Sequence, residues 1–273
     1  MSLGIVVAGP EGIVLAADSR VTLFGQQQMP NAPQPFLIPA SFDNATKLLK
    51  VKGQDHVAAI TYGTGAIGTQ QPRTAHSLLP EFETELGDSK RLGVAEFAKR
   101  LSDFFARQWA AAKMPVQIDD MVFFVTGYDE KEAYGSVCEV HIPRAPEPVQ
   151  KIPPGTFGAV WGGQRNITDR IFQGFDTMAI PAIYELLKVQ EKDKPADFEN
   201  QLKARLQLKI PVQFLPLQDS VDLAIFLIRA TILLQRWVVD VRGVGGAVDV
   251  ATITRTTGFS PVQLKQIIGE QAR

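Results

Sequence analysis

The pattern of apolar and polar positions predicts many short strands separated by a few amphipathic helices. Short apolar runs bounded by turn residues are typical of strands, and apolar residues at i, i+3, i+4 and i+7 are typical of helices. Strands are expected at 3–8, 13–17, 46–51, 57–62, 121–126, 136–142, 156–161 and 247–254, and helices at 94–111, 167–188, 198–208 and 219–238. Strands and helices alternate in groups, which favours an α+β fold with sheets covered by helices over regular βαβ units.

Three predicted features depend on particular residues. Pro181 is expected to break or kink the helix over 167–188, and Asp219 or Ser220 is expected to cap the last helix. Polar residues recur every seven positions along that helix and predict a narrow polar stripe on an otherwise buried surface: Asp222, Arg229 and Arg236.

The Gln- and Pro-rich segment 25–44 predicts a long loop, and Pro143 to Pro154 predicts an irregular connection.

Composition narrows the class of protein. The 273 residues fit one domain over 1–273, and 28 basic against 29 acidic residues give no indication of a nucleic-acid or anionic-membrane binder. The single cysteine, Cys138, excludes an intrachain disulfide and a cysteine metal site, and the three histidines lack metal-ligand spacing. No Lys or Arg precedes Arg20, which argues against a secretory signal, and the most apolar stretch, 223–239, is too short for a membrane span. We expect a soluble cytoplasmic protein with no cofactor and no metal.

The segment 63–68 matches the G-x-G-x-x-G pattern of dinucleotide-binding folds after a predicted strand. Pro72 interrupts the helix that should follow, and no second parallel strand ends in an acidic residue at the required distance. The sequence therefore predicts a glycine-rich turn with no nucleotide site.

The residue with the most distinctive chemical context is Ser2, which follows Met1. A small second residue is compatible with removal of Met1, after which Ser2 would carry both a hydroxyl and a free α-amine. A hydroxyl is a weak nucleophile without a nearby base, and an α-amine with an ordinary pKa of about 7.7–8.0 can be that base. Ser2 is therefore a candidate nucleophile.

The sequence around Ser2 resembles N-terminal-nucleophile hydrolases, and bacterial or archaeal proteasome β-subunits in particular. The matching segments are Ala16-Ala17-Asp18-Ser19-Arg20, Asn44-Ala45-Thr46-Lys47-Leu48, Ile60-Thr61-Tyr62-Gly63-Thr64-Gly65-Ala66 and Asp240-Val241-Arg242-Gly243-Val244-Gly245-Gly246. With Asp18 matched to the family's aspartate, Ser2 falls on the position of the nucleophile without a gap.

The resemblance implies a four-layer αββα sandwich and a threonine/serine-type peptidase that cleaves peptide bonds through an acyl-enzyme. It implies Ser2 as the nucleophile and Lys47 as a nearby cation paired with Asp18. It also implies an oxyanion donor at Gly63 and a further catalytic residue at Asp240. Arg20 is expected to brace Asp18 and its loop. A homo-oligomeric ring is also implied, with peptide or protein substrates and a regulatory ATPase that the sequence does not identify.

The chain departs from the family in several places. The nucleophile is Ser where Thr is usual, Gly243-Val244 stands where the family has a Ser, and the turn 161–164 lacks a hydroxyl. The segments 25–44 and 175–215 are longer than in typical β-subunits. Two alternatives follow: a proteasome-like structural subunit with little or no activity, or a narrow amidase or acyl-transferase (transpeptidase).

Overall fold

The computed structural model describes residues 2–27, 36–69, 71–190, 197–239 and 241–269 as a mixed α/β structure with antiparallel sheets. The strands are β1 Leu3–Ala8, β2 Ile13–Asp18, β3 Val21–Gln27, β4 Phe36–Phe42, β5 Leu48–Leu49, β6 Val57–Gly63, β7 Ala66–Ile67, β8 Arg73–Thr74, β9 Met121–Gly127, β10 Ser136–Ile142, β11 Ala145–Ile152, β12 Gly158–Gly163, β13 Val248–Thr254 and β14 Gly258–Gln263. The helices are α1 Leu79–Leu86, α2 Val94–Ala111, α3 Asn166–Phe172, α4 Ala179–Leu186, α5 Phe198–Leu206 and α6 Leu217–Leu234.

Two five-stranded sheets form the frame of the molecule. The first has the order β12-β1-β2-β13-β14 and the second the order β11-β10-β9-β6-β5. β1 and β2 form a hairpin closed by a hydrogen bond from the Gly9 N–H to the Gly12 carbonyl at 2.9 Å. This hairpin places the start of β1 beside the end of β2, in the centre of the first sheet.

Side chains that alternate along the strands build three hydrophobic clusters. Phe123 of β9 belongs to a cluster with Phe97 and Phe105 of α2, whereas its neighbour Phe124 belongs to a cluster between strands of the two sheets. Successive strand residues point to opposite faces, so one strand contributes to both clusters. The third cluster joins the first sheet to α6, for example through Leu227.

Most of the predicted elements are confirmed. α2, β1 and β10 begin and end at the predicted residues. β2, β6 and β9 begin at the predicted residues and end one residue later than predicted. The predicted strand 156–161 is shifted to β12, and the predicted strand 247–254 begins one residue later. Of the predicted strand 46–51, only Leu48 and Leu49 pair as a strand.

Two helix predictions need correction. The segment 167–188 contains two helices, and the interruption lies at 173–178, not at Pro181. Pro181 lies in the first turn of α4, where a missing N–H removes no intrahelical hydrogen bond. Neither Asp219 nor Ser220 caps α6, which begins two residues before Asp219, directly after Pro216.

The predictions made for proline-rich segments are wrong where the structure describes them. Segment 25–44 was expected to be a loop, yet it contains the end of β3 and all of β4; residues 28–35 of that segment lie outside the described residues. The segment 143–154 contains β11. β4 and β11 are edge strands of their sheets. Proline is tolerated in an edge strand because one side of the strand needs no ladder hydrogen bond. α1 and β14 were not predicted.

Within the part of the chain that the structure describes, none of the helices has the combination of length and apolar character that crossing a bilayer requires.

The aromatic packing between α2 and β9 yields a test of stability. Phe105 is fully buried and its ring lies 4.7 Å from that of Phe123. We expect Phe105→Ala to lower the free energy of unfolding by about 3–5 kcal/mol, because it removes apolar contacts and leaves a cavity. Urea denaturation measures the change. The control Phe226→Ala, at a side chain 54% exposed on α6, should cost less than about 1 kcal/mol, and equal costs would contradict this account of the core.

Candidate active site

Ser2 is held at the start of β1 by hydrogen bonds to both polar groups of the peptide bond between Ser2 and Leu3. Its carbonyl accepts a hydrogen bond of 2.7 Å from the Gln164 N–H, beyond β12, and the following Leu3 N–H donates to Asp18 Oδ1 at 3.0 Å. The pairing of Gly4 with Ala17 brings Leu3 opposite Asp18. The β1–β2 register therefore places Ser2, which is 3% exposed, next to the carboxylate.

The Asp18 carboxylate is fully buried and accepts hydrogen bonds from four groups. Oδ1 accepts from the Leu3 N–H and from Lys47 Nζ, and Oδ2 accepts from the N–H groups of Arg20 and Gly245 at 3.1 and 3.0 Å. A buried carboxylate is costly unless it is paired and hydrogen-bonded, and here both oxygens are satisfied.

Lys47 reaches this carboxylate from the second sheet. It directly precedes β5, and its carbonyl accepts a hydrogen bond from the Thr61 N–H at 3.0 Å, which continues the β5–β6 ladder. Its Nζ lies 2.6 Å from Asp18 Oδ1, and its side chain is 8% exposed. Burial lowers the pKa of Lys47 from its ordinary value, and the Asp18 charge opposes that shift. The sequence-predicted pair is thus in direct contact.

The Arg20 side chain forms its ion pair with Asp43, and it is the Arg20 backbone N–H that donates to Asp18. The guanidinium donates to both oxygens of Asp43, at 2.6 and 2.8 Å, and to the Arg242 carbonyl at 3.1 Å. The hydrogen bond between them raises the pKa of Arg20 and lowers that of Asp43. Arg20 therefore ties the end of β2 to the segments around residues 43 and 242.

Gly63 ends β6 in a conformation that requires glycine. Its φ is +81°, and a Cβ there would lie 2.2 Å from the Asp120 carbonyl oxygen. The same carbonyl accepts a hydrogen bond from the Thr64 N–H at 2.9 Å, which fixes the turn. The turn continues into β7 and not into the helix that follows the glycines in a dinucleotide-binding fold.

Ser2, Lys47 and Gly63 line one pocket, together with Val21, Ala45, Thr46, Thr61, Tyr62, Thr64, Gly65, Thr74 and Ala75. Its volume of about 10 Å³ is close to what one water molecule needs. Sequence reasoning did not single out Thr61, whose buried Oγ1 has no hydrogen-bond partner among the described residues. The alternation along β6 two residues before Gly63 could have identified it.

The last turn of the predicted site is described only in part. Asp240 lies outside the described residues. Gly243-Val244 offers no hydroxyl, and it is the Gly245 N–H that reaches Asp18. The turn after β12 also contacts the site through backbone, since a Cβ on Gly163, at φ +96°, would lie 1.9 Å from the Ser2 carbonyl oxygen.

Among the residues that the structure describes, no group of histidine, cysteine, aspartate or glutamate side chains could hold a metal ion. No protein-family model matches the chain, and no curated protein is similar enough to be counted as a relative. The resemblance to proteasome β-subunits therefore depends on the quoted segments alone.

The Asp18–Lys47 pair yields a test that does not depend on activity. We expect Lys47→Met to lower the free energy of unfolding at pH 7 by about 3–5 kcal/mol, because it leaves a buried carboxylate without its cation. Lys50→Met is the matched control, since Lys50 pairs with Asp55 at the surface, where such pairs contribute less than about 1 kcal/mol. Chemical denaturation of both variants measures the difference. Similar losses for the two lysines would show that the buried pair has no special role.

Proposed function

We propose that the chain, once it begins at Ser2, is an N-terminal-nucleophile hydrolase that cleaves amide bonds in peptides. The observation that carries the proposal is the meeting of Ser2, the buried Lys47–Asp18 pair and the Gly63 turn at one pocket. Burial and charged neighbours shift proton affinities at active sites, and a hydroxyl nucleophile needs such activation.

In the first step, Ser2 Oγ attacks the carbonyl carbon of the substrate amide. The free α-amine of Ser2 accepts the hydroxyl proton, directly or through a water, and passes it to the departing amine as the C–N bond breaks. The product is an ester between Ser2 and the acyl group. Water then attacks this ester with the same amine as base, which releases the acid and restores Ser2.

The other groups act electrostatically. The positive charge of Lys47 lowers the pKa of the adjacent hydroxyl and α-amine, and Asp18 keeps Lys47 oriented. The Gly63 N–H is proposed to donate to the oxyanion, a role for which one donor contributes about 2.7–4 kcal/mol in other enzymes. Thr61 Oγ1, which is buried in the pocket lining without a partner, is available to a substrate or to a bound water.

The proposal includes the finer fold expected of this family, a four-layer αββα sandwich. Its support is that α2 packs against the second sheet, α6 packs against the first, and one hydrophobic cluster joins strands of both sheets.

A structural subunit of low activity is the second candidate. It is favoured by the lack of a hydroxyl at 162–164 and at 243–244, where the family has side chains that hold the α-amine. An acyl-transferase would share the acyl-enzyme with the hydrolase and differ only in the group that resolves it.

A covalent probe tests the nucleophile. Chain that begins at Ser2 is incubated with a β-lactone, which an activated Ser2 hydroxyl opens to form an ester. We expect a mass increase of one probe per chain by intact mass spectrometry, mapped to Ser2 by peptide sequencing. Ser2→Ala should give no adduct, and Ser77→Ala, at an exposed serine outside the pocket, should react like the parent chain.

The same reaction separates the candidates. Absence of an adduct on chain lacking Met1 would reject both enzyme proposals and leave the structural subunit. Where the adduct forms, its decay in water with and without an added amine distinguishes hydrolysis from acyl transfer.

The pH dependence of kcat/KM on a peptide substrate should be bell-shaped. The rate should rise as the α-amine loses its proton, near or below its ordinary pKa of about 7.7–8.0, because only the neutral amine is a base. It should fall again as Lys47 loses its charge, and this fall should lie below the ordinary lysine value of 10.5 because burial lowers the pKa of Lys47. Lys47→Arg, which stays charged, should remove the alkaline fall even if the rate is lower. An unchanged alkaline fall in that variant would assign it to another group.

A further inference from the structure

A second cavity lies where α6 meets the turn at 242–246. Its volume is about 290 Å³, at the lower end of small-ligand pockets. Four arginines and one aspartate line it together with Ile232, Gln235, Val244, Gly245 and Gly246; the charged residues are Arg20, Arg229, Arg236, Arg242 and Asp43. Among the described residues of this lining, cationic groups thus exceed carboxylates by three.

Only one of these arginines is neutralised by a carboxylate within the described residues. Arg20 pairs with Asp43, and Arg242 donates to the Arg236 carbonyl at 3.3 Å. The side chains of Arg229 and Arg236 make no ion pair with another described residue. They stand seven positions apart on the helix and its continuation, so they lie on one face.

A buried donor without a partner belongs to one residue of this lining, Gln235, which also lines a smaller cavity with Gln164 and Asn166. Gln235 is 8% exposed, and its Oε1 accepts a hydrogen bond from the Val244 N–H at 3.2 Å. This contact fixes the amide orientation, so Nε2 points its protons elsewhere. Nε2 is buried and has no hydrogen-bond partner among the described residues. Four guanidinium groups around one cavity call for a ligand with negative charge and several acceptor oxygens.

We propose that this cavity binds a phosphate-type anion, either inorganic phosphate or a compact phosphorylated small molecule. A phosphate group offers three strong acceptor oxygens and close to two negative charges, which suits an excess of three cations better than one carboxylate does. The guanidinium fork matches phosphate geometry with two parallel hydrogen bonds. Gln235 belongs to the same lining and carries one further N–H donor without a partner among the described residues.

The site is separate from the Ser2 chemistry and does not depend on it. Two of the lining residues nevertheless contact the candidate active site, since the N–H groups of Arg20 and Gly245 donate to Asp18. A ligand that fixes the turn at 242–246 would therefore also fix one side of the Asp18 carboxylate.

Isothermal titration of the full chain with inorganic phosphate, at constant ionic strength, tests the proposal. We expect one phosphate bound per chain, and a Kd that Arg229→Gln weakens by roughly ten- to a hundred-fold, because one charged hydrogen-bond partner is lost. Arg255→Gln, at an exposed arginine outside the cavity, should bind like the parent chain. Ser2→Ala should also bind normally, which keeps this test independent of the proposed hydrolase.

Several results would overturn the site. Absence of phosphate binding at millimolar concentration would mean that water alone serves the Gln235 donor. If Arg229→Gln and Arg255→Gln weakened the Kd for phosphate equally, the binding would depend on the overall charge of the protein and not on this cavity. Tighter binding of citrate than of pyrophosphate would reject phosphate as the ligand class, whereas tighter binding of pyrophosphate would indicate a phosphorylated compound over free phosphate. Circular dichroism of each variant confirms that folding is retained.

Discussion

The buried carboxylate of Asp18 is the group on which the geometry of the site depends. Its four donors come from separate parts of the chain: Leu3, Arg20, Lys47 and Gly245. A charge removed from water is tolerated only while its partners stay in place, so each donor is held by the cost of leaving the carboxylate underbonded. One residue thereby positions the start of β1, the lysine and the last turn, without a metal or a disulfide in the described residues.

The two-sheet frame explains why this pair can exist at all. Asp18 ends a strand of the first sheet and Lys47 precedes a strand of the second, so their contact joins the sheets at one margin of the apolar cluster between them. Deeper in the apolar cluster, the Asp18 carboxylate would lack the backbone N–H donors that it has here. At the surface, water would screen the attraction between the two charges. At the margin it is dry enough for burial to lower the pKa of Lys47 and close enough to a pocket to act on a substrate.

The resemblance of short segments implied that Asp18, Lys47 and Gly63 lie around Ser2. The β1–β2 register explains why Asp18 lies beside Ser2. The sequence did not predict the partner of Arg20, because Asp43 is brought near by the β3–β4 ribbon, which proline content had marked as a loop. The high proline content of this segment predicted a loop wrongly, since edge strands tolerate proline. The role of Asp240, the ring and the regulatory ATPase stay predictions of the family resemblance.

The cationic cavity and the catalytic pair share a boundary, and their charges are coupled through it. Burial is the main cause that lowers the pKa of Lys47, and the positive potential of Arg20 adds to it. Arg229, Arg236 and Arg242 line the same cavity as Arg20 and form no ion pair with a carboxylate among the described residues. An anion in the cavity would offset part of that potential and favour the charged form of Lys47. An anion in the arginine cavity would therefore favour the form of Lys47 that the proposed mechanism needs, and the two proposed sites would be coupled across the turn that holds Asp18.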